Sequence, residues 1–157
     1  MKDKFNMVGM KIPEFTLPNS RGDRVNIQEF MGKKVLLILL RGLMDPFCQA
    51  HIVRLAKEIE KFEQLNTEIY AITADRFENA RRLELRYAKR KFPIFFDRTR
   101  EVVKLLHQEV WILRLGRMPA ILILDKKGIV QWAYYGDSMR DIPSNKTLFE
   151  VIEKISS

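Results

Sequence analysis

Val35-Leu36-Leu37-Ile38-Leu39-Leu40-Arg41-Gly42-Leu43-Met44-Asp45-Pro46-Phe47-Cys48 decides the fold. Its first six residues are continuously apolar, bounded by Lys33-Lys34 and Arg41-Gly42. A run this short cannot span a membrane and suits a strand buried on both faces of a sheet. Arg41-Gly42-Leu43-Met44 interrupts it, and Asp45-Pro46 then signals a helix start. Asp can accept from the free first-turn amides, and Pro is tolerated at the first helical position. Cys48, Ile52, Leu55, Ile59 and Phe62 follow at spacings of 4, 3, 4 and 3, one apolar face of a helix running to Phe62. Cys48 thus sits in the first helical turn, at the carboxyl end of a central strand, where open α/β sheets place their sites.

Working outward, Ile12 to Pro18 alternates apolar and polar between prolines and reads as an edge strand. Asn19-Ser20-Arg21-Gly22-Asp23 is a turn, and Val25-Asn26-Ile27 returns as the second arm of a hairpin. Downstream, Glu68 to Thr73 reads as a strand, and a helix from Ala74-Asp75 runs to about Arg90. Phe92 to Asp97 reads as a short strand and Arg98 to Leu106 as a short helix. Arg114 to Pro119 leads into a strand at Ala120 to Leu124. The turn Asp125-Lys126-Lys127-Gly128 precedes an antiparallel return at Ile129 to Tyr135, and a helix at Thr147 to Ile155 ends the chain. The alternation of β and α predicts an α/β fold with a central mixed sheet flanked by helices and an N-terminal hairpin. Its 157 residues, without linker or repeat, fit a single domain over 1–157.

Composition sets the outer bounds. Apolar residues make 46% of the chain and charged ones 31%, which suits a soluble globular protein. No run reaches membrane-spanning length, and Met1-Lys2-Asp3-Lys4 is not followed by an apolar signal segment, so a cytoplasmic location is expected. One cysteine excludes an internal disulfide, and with only His51 and His107 no metal site is expected. No cofactor is expected. The net charge is +8, and Arg76 to Lys91 holds seven basic and two acidic residues. Nucleic-acid binding through Arg81, Arg82, Arg86, Lys89 and Arg90 would need base-reading or stacking motifs that are missing, so a solvated helix face is expected.

The arrangement resembles the thioredoxin-like fold and, within it, the peroxiredoxin superfamily of alkyl hydroperoxide reductases and thiol-specific antioxidant proteins. The resemblance runs from Gly9 to Ile155. It is carried by Val8-Gly9-Met10-Lys11-Ile12-Pro13-Glu14-Phe15-Thr16-Leu17, the strand leading to Cys48, Met118-Pro119, and Ile123-Leu124-Asp125-Lys126-Lys127-Gly128-Ile129. The family motif of Pro, three residues, Thr, two residues and Cys falls on Arg41, Asp45 and Cys48, with only the cysteine retained. Arg41-Gly42-Leu43-Met44-Asp45-Pro46-Phe47-Cys48 also follows a branch reading Arg-Gly-x-Trp-Cys-Pro-Phe-Cys, with Asp45 in place of its first cysteine.

The resemblance implies a peroxidase: Cys48 as the thiolate that attacks a peroxide and becomes a sulfenic acid. Arg41 and Arg117 are the candidate activating cations, Met118-Pro119 the candidate cis-proline loop facing the cysteine. Without a second cysteine, the sulfenic acid needs an external thiol reductant, whether a small thiol, thioredoxin or glutaredoxin, or a second copy in a homodimer. A dithiol oxidoreductase would need the cysteine that Asp45 replaces. Asp45 opposes reactivity, because its carboxylate competes for first-turn amides and raises the cysteine pKa. The alternative is therefore a redox-inactive protein-binding module with Cys48 as packing. His51, three residues after Cys48, either tunes it or is a surface or half-buried histidine. Asp137 and Asp141 are expected to be solvated.

Overall fold

A computed structural model describes residues 1–111, 113 and 116–155. Thr16–Pro18 (β1) pairs antiparallel with Arg24–Asn26 (β2), the expected hairpin. Ile27 begins a 3-10 turn rather than ending the second arm, because the Asn26 and Glu29 side chains form a reciprocal cap there. Lys34–Leu39 (β3) follows, then Pro46–Lys57 (α1), Ile59–Gln64 (α2), Thr67–Thr73 (β4) and Phe77–Leu83 (α3). Ile94–Phe96 (β5), Glu101–Leu105 (α4), Val110–Trp111 (β6) and Gly116–Arg117 (β7) come next. Ala120–Leu124 (β8), Val130–Tyr135 (β9) and Asn145–Lys154 (α5) complete the order.

The main sheet runs β5-β4-β3-β8-β9. β3 is its middle strand, parallel to β4 and antiparallel to β8, with all six residues buried. That explains its unbroken apolar run: both faces meet core. Leu36 and Ile38 join Ile52, Leu55, Phe62, Leu83, Leu148 and Ile152 on the face covered by α1, α2, α3 and α5. Val35, Leu37 and Leu39 point the other way, to Phe15, Leu17, Tyr70, Phe95 and Val103. Each fully buried leucine or isoleucine contributes about 1.5–3 kcal/mol, so β3 alone is a large share of the driving force.

Three further expectations need correction. The helix read as continuous to Phe62 breaks at Glu58. Asn145 of α5 donates to the Arg54 carbonyl at 2.9 Å, the acceptor that the Glu58 amide would use in an unbroken helix. The helix read to Arg90 ends sooner: after α3 it widens into a π-helical turn over Glu84–Ala88, and Lys89 and Arg90 then take left-handed conformations. Here Glu84 is buried, accepting from Ser20 Oγ at 2.7 Å and Arg21 Nε at 2.8 Å. The lead into β8 is also more than a connection, since β6 and β7 form a two-stranded ribbon. Arg114 and Leu115, read as part of that lead, lie outside the described residues.

Candidate active site

The site grows from the end of β3. The Leu40 amide still donates to Ile72, and Arg41 then leaves the sheet. Gly42 turns the chain at φ +150°, a conformation that side-chain-bearing residues rarely adopt. Asp45 caps α1 as expected, its carboxylate accepting from the Phe47 and Cys48 amides at 3.3 Å each, with Pro46 at the first helical position. Arg41 reaches the same carboxylate at 3.0 Å, and both side chains are 8% exposed. The Arg41 Nε also donates to the backbone carbonyl of Arg117 on β7.

An open cleft of about 350 Å³ results, lined by Arg41, Gly42, Met44, Asp45, Pro46, Arg117 and Met139. The half-buried Arg117 guanidinium makes no ion pair among the described residues; burial, aided by Arg100, lowers its pKa. Arg41, Asp45 and Arg117, chosen from sequence as neighbours of Cys48, are thus brought together.

Cys48 lies behind this cleft, only 2% exposed. A cavity of about 10 Å³ borders it, along with His51, Pro119 and Ile142. Burial pushes the Cys48 thiol up to about 11. The Gly42 and Arg41 backbone amides pull the other way, as does the Arg41 guanidinium, while the Asp45 charge adds to the rise. Desolvation wins because a thiolate excluded from water loses more than two amides return.

His51 is neither on the surface nor half-buried. It is 2% exposed, its Nε2 has no hydrogen-bond partner, and burial takes its pKa down to about 3, with Arg54 assisting. The apolar face of α1 carries it into the core along with Cys48.

The cis-proline expectation is corrected: no cis peptide bond occurs among the described residues, so Met118-Pro119 is trans. Trans is the lower-energy state even at proline, by about 0.5–1 kcal/mol. Both carbonyls here find partners in that geometry, Met118 from Gln108 Nε2 at 3.1 Å and Pro119 from the Gly136 amide at 2.9 Å. Pro119 still faces the cysteine, as the shared cavity shows.

Other neighbours were not legible. Gln108 is buried and bonds both Leu40 and Met118 carbonyls, joining the end of β3 to the segment before β8. Nothing in its local sequence marks it. Asp137 and Asp141 are not merely solvated: both accept from Lys2, at 3.0 and 2.6 Å. Among the described residues, no group of His, Cys, Asp and Glu could hold a metal ion, and no helix is long and apolar enough to cross a membrane.

The family model described as AhpC/TSA family matches residues 8–133. A peroxiredoxin of Hyperthermus butylicus is 30% identical over 138 residues, covering 82% of this chain and 57% of its own length. Peroxiredoxin 2 of Sulfurisphaera tokodaii is 27% identical over 144 residues, covering 85% of this chain and 66% of its own length. The chain therefore spans less than two thirds of either relative. Among solved structures, the peroxidoxin BcpB of Mycobacterium tuberculosis superposes with a TM-score of 0.82 at 15% identity, covering 96% of this chain and 99% of that one. The match spans both the hairpin and the strand that leads to Cys48, so the chain belongs to the AhpC/TSA family of the peroxiredoxin superfamily and has its thioredoxin-like fold.

Proposed function

We propose that the protein is a thiol-dependent peroxidase of one-cysteine type. Cys48 attacks hydrogen peroxide or an organic hydroperoxide, forming a sulfenic acid and releasing water or an alcohol. An external thiol then reduces the sulfenic acid, first as a mixed disulfide and then with a second thiol equivalent. The observation that carries this reading is the convergence of Cys48, the Arg41 guanidinium and the amides of Arg41 and Gly42 at the end of β3, beside an open cleft. These donors favour a thiolate and can take up charge as the O–O bond breaks. Arg117 supplies a second cation at the cleft wall.

Asp45 and burial set the pace. With the thiol near 11, roughly one molecule in a few thousand carries a thiolate at pH 7.5. The expected enzyme is slow at neutral pH. Its rate should rise about tenfold per pH unit toward the thiol pKa. The test is peroxide consumption with dithiothreitol as reductant, together with alkylation of Cys48 before and after a brief dose of hydrogen peroxide. The expected result is turnover that climbs with pH and vanishes in Cys48→Ser, with alkylation blocked by peroxide. Alkylation indifferent to peroxide would overturn the proposal and leave Cys48 as packing.

A further inference from the structure

The loop that follows β9 lies across the first turn of α1. Ile142 borders the small cavity beside Cys48 and His51, Met139 lines the cleft with Asp45 and Pro46, and Arg140 stands 5.5 Å over the Phe47 ring. The loop is pressed onto Pro119 as well. A β-carbon on Gly136 would come within 2.9 Å of the Pro119 ring and 2.5 Å of the Asp141 carbonyl, so only glycine fits there. Cys48 is 2% exposed beneath Ile142, Arg41 and Pro119, so a reagent reaches its sulfur only when this packing opens.

The loop carries its own fastening. Lys2 bridges Asp137 at 3.0 Å and Asp141 at 2.6 Å. Lys4 bridges Asp137 and also Glu109, the latter at 2.9 Å. Asp141 further accepts from Tyr134 Oη at 2.7 Å and from the Asp137 amide at 2.8 Å. Backbone bonds hold the lysines in place: the Lys2 amide donates to Ala133 and its carbonyl accepts from Tyr135, along β9. Glu109 lies at the other side of the site, its carbonyl accepting from the Met118 amide. The N-terminal segment therefore grips both the loop over Cys48 and the segment before Pro119. The two lysine bonds hold the Asp137 carboxyl down at about 2, so the pairs persist through the neutral range.

We propose that Lys2 and Lys4 form an ionic clasp that keeps the Asp137–Ile142 loop closed over Cys48, making them positioning residues that govern access to the thiol. This inference rests on Cys48 being the reacting group, yet its readout does not require peroxidase activity. Each pair is partly exposed, so the clasp is weak enough to open locally while the sheet stays folded.

The experiment is the rate of Cys48 alkylation by iodoacetamide, a neutral probe, in the native protein and in Lys2→Gln/Lys4→Gln. Removing both lysines should speed labelling about fivefold, by the same factor across the pH profile. A change in the field at the sulfur would instead slow labelling and move the midpoint up. Sodium chloride at about 0.5 M should speed the native protein about twofold and leave the double variant unchanged. Lys2→Arg should behave like the native protein. Urea below the unfolding transition should hardly change the double variant's rate, which separates loop opening from global unfolding. Equal rates in native and double variant, or a gain that rises steeply with urea, would overturn the clasp. Should peroxide fail to block labelling in any variant while the alkylation pattern holds, the peroxidase reading falls and the clasp stands.

Discussion

Two corners of the molecule bury a carboxylate against arginine, and they are built in opposite ways. At the Cys48 corner, Asp45 meets Arg41 and the Phe47 and Cys48 amides, all within four residues of it. At the β5 edge of the sheet, Glu84 meets Ser20 and Arg21, 64 and 63 residues away, with Arg81 of its own helix at a looser 3.7 Å. The first is a local device that a short stretch can form alone. The second exists only when the N-terminal hairpin and the π-turn have docked, since Arg21 also donates to the Arg90 carbonyl and Ser20 Oγ accepts from the Ile94 amide. One lies beside a buried thiol; the other joins distant pieces of chain.

The sharpest way to break this comparison is Glu84→Ala. It removes the acceptor of the buried Ser20 hydroxyl and opens a void at a fully buried position, which should cost about 2–3 kcal/mol. For a chain of this length that is a fall in Tm of about 4–12 °C by calorimetry. Alkylation of Cys48 under native conditions should not change; if it does, the corners are coupled.

Acid probes the Cys48 corner at the next level. The folded pKa of His51, about 3, lies below its ordinary value near 6.5, so the unfolded chain binds the proton first. This contribution to stability is whole above pH 6.5 and is lost as pH falls toward 3. Urea unfolding should show about 2 kcal/mol less stability from this residue at pH 5 than at pH 7. His51→Leu should remove that part of the acid sensitivity, and identical pH dependence in native and variant would show that the imidazole is not held neutral.

The smallest effect is the most informative about function. Asp45→Asn keeps an acceptor for the cap but removes the charge, so the Cys48 pKa should drop by about one unit, or about 1.4 kcal/mol. Alkylation at pH 7.5 should quicken about tenfold. A rate unchanged from native would mean that burial alone governs the thiol and that Asp45 is only a cap.

The residues that were legible share one property. The β3 run, the Asp45 cap, Pro46 at the first helical position and Cys48 in the first turn all depend on neighbours within a few residues. Hydrophobic period and capping chemistry are read directly from such spacing. Where the reading failed, a distant partner had intervened. Asn145 took the Arg54 carbonyl and broke a helix whose apolar spacing continues through Phe62. The Met118-Pro119 bond is trans where resemblance suggested cis, with Gln108 and Gly136 holding its carbonyls.

By itself the sequence determined the order of the hairpin and main-sheet strands and their main helices, the buried centre of the sheet, and the placing of one cysteine at a helix start beside an arginine and a capping aspartate. These follow from local geometry and from the need to bury apolar surface. Tertiary structure alone decided how deep Cys48 and His51 lie, and that the Lys2–Asp141 pair, 139 residues apart, fastens a loop across them. Burial and long-range charge pairing are properties of the packed chain, because desolvation and Coulomb energy depend on distances in space that sequence spacing does not encode.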